Sequence, residues 1–85
     1  MRVQFTPRFV RMVRALPEEL QEEVYEKVDL FRDQKNHPAL KVHKLKGALK
    51  GFASFYINYK TRVIFETTKE GVILHAVGDH DVYKA

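Results

Sequence analysis

The chain of 85 residues contains no cysteine and no tryptophan, and only four glycines and three prolines. Without cysteine it can form neither a disulfide scaffold nor a thiolate zinc site, and it has no thiol nucleophile. No apolar run approaches the roughly 18 residues that a membrane helix needs, and residues 1–4 do not look like the start of a signal peptide. We therefore expect a cytoplasmic protein with no membrane partner. A chain of this length supports one hydrophobic core, and the absence of linker-like composition predicts a single domain over residues 1–85.

Sequence patterns for metal and cofactor binding are also missing. Gly47 and Gly51 are not followed by the Lys-Ser/Thr pair of a phosphate-binding loop. His37 and His43 are predicted to lie on loops, at a spacing that matches no common metal site. In an extended segment, the side chain of His80 would point away from those of the acidic residues on either side of it. These observations predict no metal site and no cofactor.

Charge is strongly segregated along the sequence. Residues 1–16 carry four arginines and no acid, and residues 17–36 carry seven acids against three cations. Residues 37–62 carry six cations and no acid, interleaved with four aromatic residues from Phe52 to Tyr59. Such a mixture is common on RNA-binding sheets, where cations hold phosphates and rings stack on bases. It is also common on a solvated surface beside a core strand, so charge alone leaves both interpretations open.

The apolar pattern predicts an α+β fold. Val3 and Phe5 alternate with polar residues as in a half-buried strand, and Thr6-Pro7 is a typical helix start. Pro17 ends this helix and opens a second, acidic one. Three strands follow, over residues 52–59, 62–68 and 72–77. We predict an N-terminal strand, two antiparallel helices, and a three-strand antiparallel meander that completes one sheet. Ser54 and His75, inside predicted strands, are expected to have structural roles.

Eight polar side chains remain as candidates for metal-free chemistry on a polyanion. RNA carries its own nucleophile, the 2′-hydroxyl, so an enzyme that cuts it must align that oxygen, move two protons and stabilise a charged phosphorane. Arginine suits the phosphorane and histidine suits proton transfer. The candidate side chains are those of His43, Lys44, Lys46, Tyr56, Lys60, Arg62, His80 and Tyr83.

Several short motifs, in order along almost the whole chain, resemble those of the RelE/ParE superfamily of type II toxin–antitoxin toxins. The first strand and helix start, Val-Gln-Phe-Thr-Pro-Arg-Phe, looks like the opening of the family. His43-Lys44-Leu45-Lys46-Gly47 looks like its Lys-Leu-x-Gly signature, and Arg62-Val63-Ile64-Phe65 looks like its arginine-bearing strand. The ending from Val77-Gly78 to Tyr83 is similar to its closing motif.

The resemblance implies a microbial RNase-like sheet and a ribosome-dependent endoribonuclease that cleaves mRNA in the ribosomal A site. In the RelE and YafQ-like branch, the 2′-hydroxyl attacks in line and leaves a 2′,3′-cyclic phosphate. Carried over by position, Arg62 is the transition-state arginine, His80 the general acid, and Tyr83 a stacking or orienting group. His43 matches a histidine of the YafQ-like branch, and His43 or Tyr56 is the candidate base. The expected RNA-binding residues are Lys44, Lys46, Lys50, Tyr56 and Lys60.

The chain also departs from the RelE pattern. Where RelE has two catalytic lysines, this chain has Ala53 and Phe55, which cannot move protons. A histidine-centred mechanism is therefore the better fit. The alternatives are a ParE-type toxin that inhibits DNA gyrase by protein contact, and a non-catalytic RNA-binding module on the same fold.

The resemblance further implies two partners. One is a cognate antitoxin protein, whose acidic segment would complement residues 37–62. The other is the ribosome with its mRNA and rRNA.

Overall fold

A computed structural model describes residues 1–79 and 82–83 of the chain. Its elements, in order, are β1 (Arg2–Phe5), α1 (Pro7–Arg14), α2 (Glu18–Phe31), β2 (His43–Lys44), β3 (Ala53–Tyr56), β4 (Arg62–Thr67) and β5 (Gly71–Gly78). The predicted α+β class is confirmed, and the strand, the two helices and the three later strands that the sequence predicts are all present in the predicted order. Within these described residues, no helix is long and apolar enough to cross a membrane.

Strand β2 was not predicted. We expected His43 to lie on a loop, but it pairs with Ser54 in an antiparallel ladder, and Lys44 pairs with Ala53. Two residues are too few to show the alternation by which a strand is recognised in a sequence. The pairing of His43 with Ser54 determines the side of the sheet on which the His43 side chain lies.

The five strands form one sheet in the order β1-β5-β4-β3-β2. Strands β2 to β5 are antiparallel neighbours, whereas β1 runs parallel to β5, with Arg2 opposite Gly71. The two backbones approach closely at this point, and a Cβ on residue 71 would overlap the Arg2 carbonyl group. Glycine is therefore required where β5 begins.

Both helices start where the sequence predicts. The Thr6 hydroxyl accepts a hydrogen bond of 3.0 Å from the backbone N–H of Phe9, and Pro7 occupies the first turn of α1. Because the first N–H groups of a helix lack internal partners, this cap stabilises α1 by about 1 kcal/mol. Helix α2 follows Pro17 and carries Glu18 and Glu19 in its first turn.

The main core lies between the helices and one face of the sheet. Phe9 of α1 and Phe31 of α2 are almost fully buried, together with Phe55, Phe65 and Leu74 of the sheet. The rings of Phe31 and Phe55 stack with centroids 4.2 Å apart. Burial of each such side chain contributes roughly 1.5–3 kcal/mol to the stability of the fold.

The opposite face of the sheet is covered only in part. A register shift between β4 and β5 makes His75 a β-bulge, because Ile64 pairs with Ala76 and Phe65 pairs with Leu74. Ile64 and Ala76 form a small second cluster on this face with Val82. The Nε2 atom of His75 lies 2.7 Å from Glu66 Oε1, which agrees with the expectation of a hydrogen-bonded histidine here.

Candidate functional site

Strand register brings four polar side chains to the sheet face that points away from the helices. His43 lies opposite Ser54, and Tyr56, two residues further along β3, lies opposite Arg62. Residues directly opposite in an antiparallel pair share a face, and residues two apart on a strand also share one. His43, Ser54, Tyr56 and Arg62 therefore lie on the same face, and we call these four residues the polar face cluster.

Arg62 is the buried member of the polar face cluster, with 6% of its surface exposed. Its guanidinium carbon lies 3.4 Å from the centroid of the Tyr56 ring, a close cation–π contact. Its Nη1 donates to the carbonyl oxygens of Asn58 at 2.7 Å and Thr61 at 3.2 Å, and its Nη2 donates to that of Tyr59 at 3.0 Å. Three of its five N–H donors are thus engaged by the turn between β3 and β4.

Tyr56 lies between Arg62 and two further groups. The ring of His43 meets the Tyr56 ring edge-on, with centroids 6.4 Å apart. The ammonium nitrogen of Lys41 lies 6.0 Å from the centroid of the same ring. One phenol is therefore surrounded by an imidazole and two cations, an arrangement that attracts an anion to this side of the sheet.

Hydrogen bonding determines which His43 nitrogen can act as a base. Nδ1 of His43 lies 2.8 Å from the carbonyl oxygen of Lys41. A carbonyl oxygen only accepts, so Nδ1 carries the hydrogen, and the neutral ring presents the lone pair of Nε2. His43 is exposed, so Nε2 is accessible from solvent. Lys41 has a φ of 56°, a left-handed conformation that is uncommon away from glycine and common at functional sites.

Tyr83 contacts the polar face cluster from the end of the chain. Its hydroxyl lies 2.9 Å from the hydroxyl of the buried Ser54. Ser54 was expected to be structural, and its burial beneath this bond agrees with that expectation. The sequence-predicted general acid, His80, lies outside the residues that the structure describes.

The predicted RNA-binding lysines lie at two places around the cluster. Lys44, Lys46 and Lys50 are exposed and line a cavity of about 590 Å³ beneath the segment that joins β2 to β3. Lys44 follows His43 on a strand, so its side chain points to the other side of the sheet. Lys60 is exposed on the β3–β4 turn, close to the polar face cluster.

A larger cavity, of about 640 Å³, lies on the helix side of the sheet. It is lined by core residues such as Phe31 and Phe65 and by Val42. His43 is the one member of the polar face cluster that also borders it. Because the rest of the polar face cluster does not line this cavity, the candidate site is an open, charged surface rather than a deep apolar pocket.

Sequence reasoning missed Lys41 and gave Ser54 no connection to Tyr83. Lys41 belongs to the acid-free stretch of residues 37–62, and this was the available signal. The Ser54–Tyr83 contact joins positions that are far apart in the sequence, so only the fold shows it. Across the ranges that the structure covers, no three histidine or acidic residues are grouped so as to hold a metal ion.

No protein-family model matches the chain, and no curated protein sequence matches it. Solved structures do match it. The crystal structure of the DinJ–YafQ toxin–antitoxin complex of E. coli gives a TM-score of 0.77 at 16% identity, covering 99% of this chain and 97% of that one. The toxin–antitoxin complex RelBE2 of Mycobacterium tuberculosis gives 0.72 at 24% identity, covering 92% and 95%.

An archaeal structure matches as well. The RelE–RelB complex of Pyrococcus horikoshii OT3 gives a TM-score of 0.70 at 18% identity, covering 92% of each chain. At these identities the likeness is one of fold. The RelE-like α+β fold expected from the sequence motifs is thus confirmed over nearly the whole chain.

Proposed function

We propose that the chain is the toxin of a type II toxin–antitoxin pair, a metal-independent endoribonuclease that cleaves mRNA in the A site of the ribosome. The observation that carries the proposal is the gathering of His43, Tyr56, Arg62 and Tyr83 on one open sheet face. The fold supports it, because two of the matched structures are toxin–antitoxin complexes. Fold alone does not define activity, so the weight rests on the side chains.

The proposed reaction is an internal transfer at one phosphate. The 2′-oxygen attacks phosphorus and loses its proton to a base, while the bond from phosphorus to the 5′-oxygen breaks and that oxygen receives a proton. The products are a 2′,3′-cyclic phosphate and a 5′-hydroxyl end. No water or metal enters this step, so the side chains only have to move two protons and stabilise charge.

His43 is the base in this proposal. Its Nε2 lone pair faces solvent because Nδ1 donates to the Lys41 carbonyl oxygen at 2.8 Å. Tyr56, whose ring lies edge-on to that of His43, is the alternative base. His80 is assigned the general-acid role by position in the sequence alone.

Arg62 and Tyr83 support the reacting phosphate in different ways. Arg62 places a permanent positive charge against Tyr56, beneath the surface on which the phosphorane would form. The described residues engage three of its five N–H donors, and in this proposal the other two bind a phosphate oxygen of the RNA. Tyr83, held by Ser54, orients the nucleotide.

The surrounding cations bind the RNA. Lys44, Lys46, Lys50 and Lys60 are all exposed and would contact phosphates of mRNA or rRNA. The same charge would attract an acidic segment of an antitoxin, which would cover the site in the inactive complex. This function places the protein in the cytoplasm, where translating ribosomes are found.

The test is to map the ends of an mRNA incubated with the purified protein, with and without translating bacterial ribosomes. The wild type, His43→Gln and His80→Ala would be compared with Arg14→Gln, which removes a positive charge from the exposed side of α1, outside the polar face cluster. We expect ribosome-dependent cuts with 5′-hydroxyl ends in the wild type and Arg14→Gln, and strongly reduced cutting in the histidine variants.

Two results would redirect the proposal. Uncut mRNA with the wild type would exclude the nuclease, and inhibition of gyrase supercoiling by the same preparation would then support the ParE-type alternative. Wild-type rates of cleavage in both histidine variants would leave a nuclease but remove the histidine mechanism.

A further inference from the structure

The turn between β3 and β4, residues 57–61, presents an aromatic ring to solvent. Tyr59, at its centre, is 79% exposed, more than any other large hydrophobic residue in the described part of the chain. Ile57, two residues earlier, is only 2% exposed, so its side chain anchors the turn while the Tyr59 side chain is exposed to solvent. Single exposed apolar residues are ordinary on protein surfaces, so exposure by itself assigns nothing to Tyr59.

The backbone beneath Tyr59 is unusually well fixed for a surface turn. The Asn58 side-chain oxygen accepts from the backbone N–H groups of Lys60 and Thr61, both at 2.8 Å. The Asn58 side-chain nitrogen donates to Glu23 of α2 at 2.8 Å, which ties the turn to the helix layer. The backbone N–H of Ile57 donates to the Thr61 carbonyl oxygen at 2.9 Å and closes the turn.

Arg62 fixes the same turn from the side of the candidate site. Its guanidinium donates to the carbonyl oxygens of Asn58, Tyr59 and Thr61 while its face stacks on Tyr56. The guanidinium of Arg62 thus binds the Tyr59 carbonyl oxygen at 3.0 Å and also stacks on Tyr56, the alternative base. The exposed ring and the polar face cluster are therefore rigidly joined through one buried arginine.

The chemistry around the ring favours a nucleic acid. The Lys60 ammonium nitrogen lies over one side of the Tyr59 ring, 5.6 Å from its centroid, and the residue as a whole is 79% exposed. Residues 37–62, which include the turn, contain no acid, and the Glu23 carboxylate of α2 that lies against the turn is bound by the Asn58 side-chain nitrogen. A planar ring with a neighbouring cation is the pair used for single-stranded RNA, where the ring stacks on a base and the cation holds the phosphate.

We propose that Tyr59 is a stacking platform for an unpaired nucleobase of RNA, with Lys60 at the adjoining phosphate. The proposal rests on RNA being the substrate class and adds a base-contacting residue beside the site of cleavage. Because the turn is already ordered, stacking costs little conformational entropy. The platform therefore sets the position of the RNA strand relative to His43 and Tyr56.

The absence of tryptophan from the chain gives a direct test. A Tyr59→Trp variant carries a single indole at the platform, and a Tyr25→Trp variant carries one on α2, where Tyr25 is 51% exposed. Each would be titrated with a 2′-O-methyl oligoribonucleotide, which lacks the attacking hydroxyl and stays intact, and with polyphosphate, which has charge but no bases. We expect saturable quenching only for Tyr59→Trp with the oligonucleotide. Equal responses to the oligonucleotide and polyphosphate, or no response, would overturn stacking.

Affinity for the same oligonucleotide provides the second measurement. We expect Tyr59→Ala to bind roughly tenfold or more weakly and Tyr59→Phe to bind like the wild type. An oligonucleotide with an abasic site in place of the stacked base should bind the wild type more weakly, whereas its affinity for Tyr59→Ala should be unchanged. Thermal unfolding would check that both variants are folded. Wild-type affinity in Tyr59→Ala would overturn the proposal.

These outcomes separate the platform from the nuclease. Binding is measured on an RNA that is not cut, so stacking can be established even when mRNA stays intact on ribosomes. Conversely, ribosome-dependent cleavage by the wild type together with unchanged binding by Tyr59→Ala would leave the nuclease standing and remove the platform.

Discussion

The guanidinium carbon of Arg62 lies 3.4 Å from the centroid of the Tyr56 ring, and the same guanidinium binds three carbonyl oxygens of the turn between β3 and β4. One buried side chain therefore connects a candidate catalytic group with the backbone that shapes the edge of the site. A cation inserted between a ring and a set of carbonyl oxygens is well satisfied, which explains how arginine is tolerated at 6% exposure. Arg62 is expected to affect both folding and activity.

Arg62→Lys should be nearly as damaging as Arg62→Ala. Lysine keeps the charge but cannot reproduce three planar hydrogen bonds and a stacked face, so we expect each variant to lose about 2–4 kcal/mol of unfolding free energy. Urea denaturation would measure this loss. The matched control is Arg14→Ala on the exposed side of α1, which should change stability by less than about 0.5 kcal/mol. A stable Arg62→Ala would show that the turn does not depend on this side chain.

His43→Gln should reduce RNA cleavage on ribosomes by about a hundredfold or more while the unfolding free energy stays within about 0.5 kcal/mol of the wild type. The reason is that His43 is exposed and contributes one hydrogen bond to the Lys41 carbonyl oxygen. His75→Gln is the control, because it loses the bond to Glu66 at the bulge and should alter stability more than cleavage. If His75→Gln reduced cleavage more than His43→Gln did, and His43→Gln reduced stability more, His43 would not be the base.

Ser54→Ala and Tyr83→Phe should each lower stability by about 1 kcal/mol, and the double variant should lose less than the sum of the two. The two hydroxyls lie 2.9 Å apart and Ser54 is buried, so removing either hydroxyl removes the hydrogen bond between them. A double-mutant cycle by urea denaturation measures the coupling. Fully additive losses would mean that the hydroxyls act independently.

Gly71→Ala should cost about 2–4 kcal/mol, because the new Cβ would overlap the backbone of Arg2 and force β1 away from β5. The control is Gly47→Ala, where φ is 67° and no atom lies within 4 Å of the new Cβ. That change should cost only about 1–2 kcal/mol of unfolding free energy, the penalty for an alanine in the left-handed conformation. Thermal unfolding of both variants would measure the difference, and equal losses would contradict the close approach of the two strands.

The elements that could be predicted from the sequence are those with a local physical signal. Thr6-Pro7 predicts the start of α1 because a cap and a fixed φ act within one turn. The apolar spacing predicts the buried stripe of α2, although Leu20 is only half-buried where Val24 is fully buried.

The remaining features depend on contacts between distant parts of the chain. Strand β2 is a strand only because Ser54 and Ala53 pair with it, and the bulge at His75 exists only in register with Ile64 and Phe65. The burial of Arg62 likewise requires the turn to fold back over its guanidinium. The sequence does not show which distant residues come into contact. Residue type therefore identifies the candidate site residues, and only the fold shows that they lie together.

The parallel pairing of β1 with β5 has a consequence for how the protein is made. Strands β2 to β5 can form in succession between near neighbours, but β1 must wait for the last strand to leave the translating ribosome. A nascent chain that stops within β5 would leave β1 without its neighbour and α1 without the strand it packs against. A chain truncated within β5 should therefore yield no folded product.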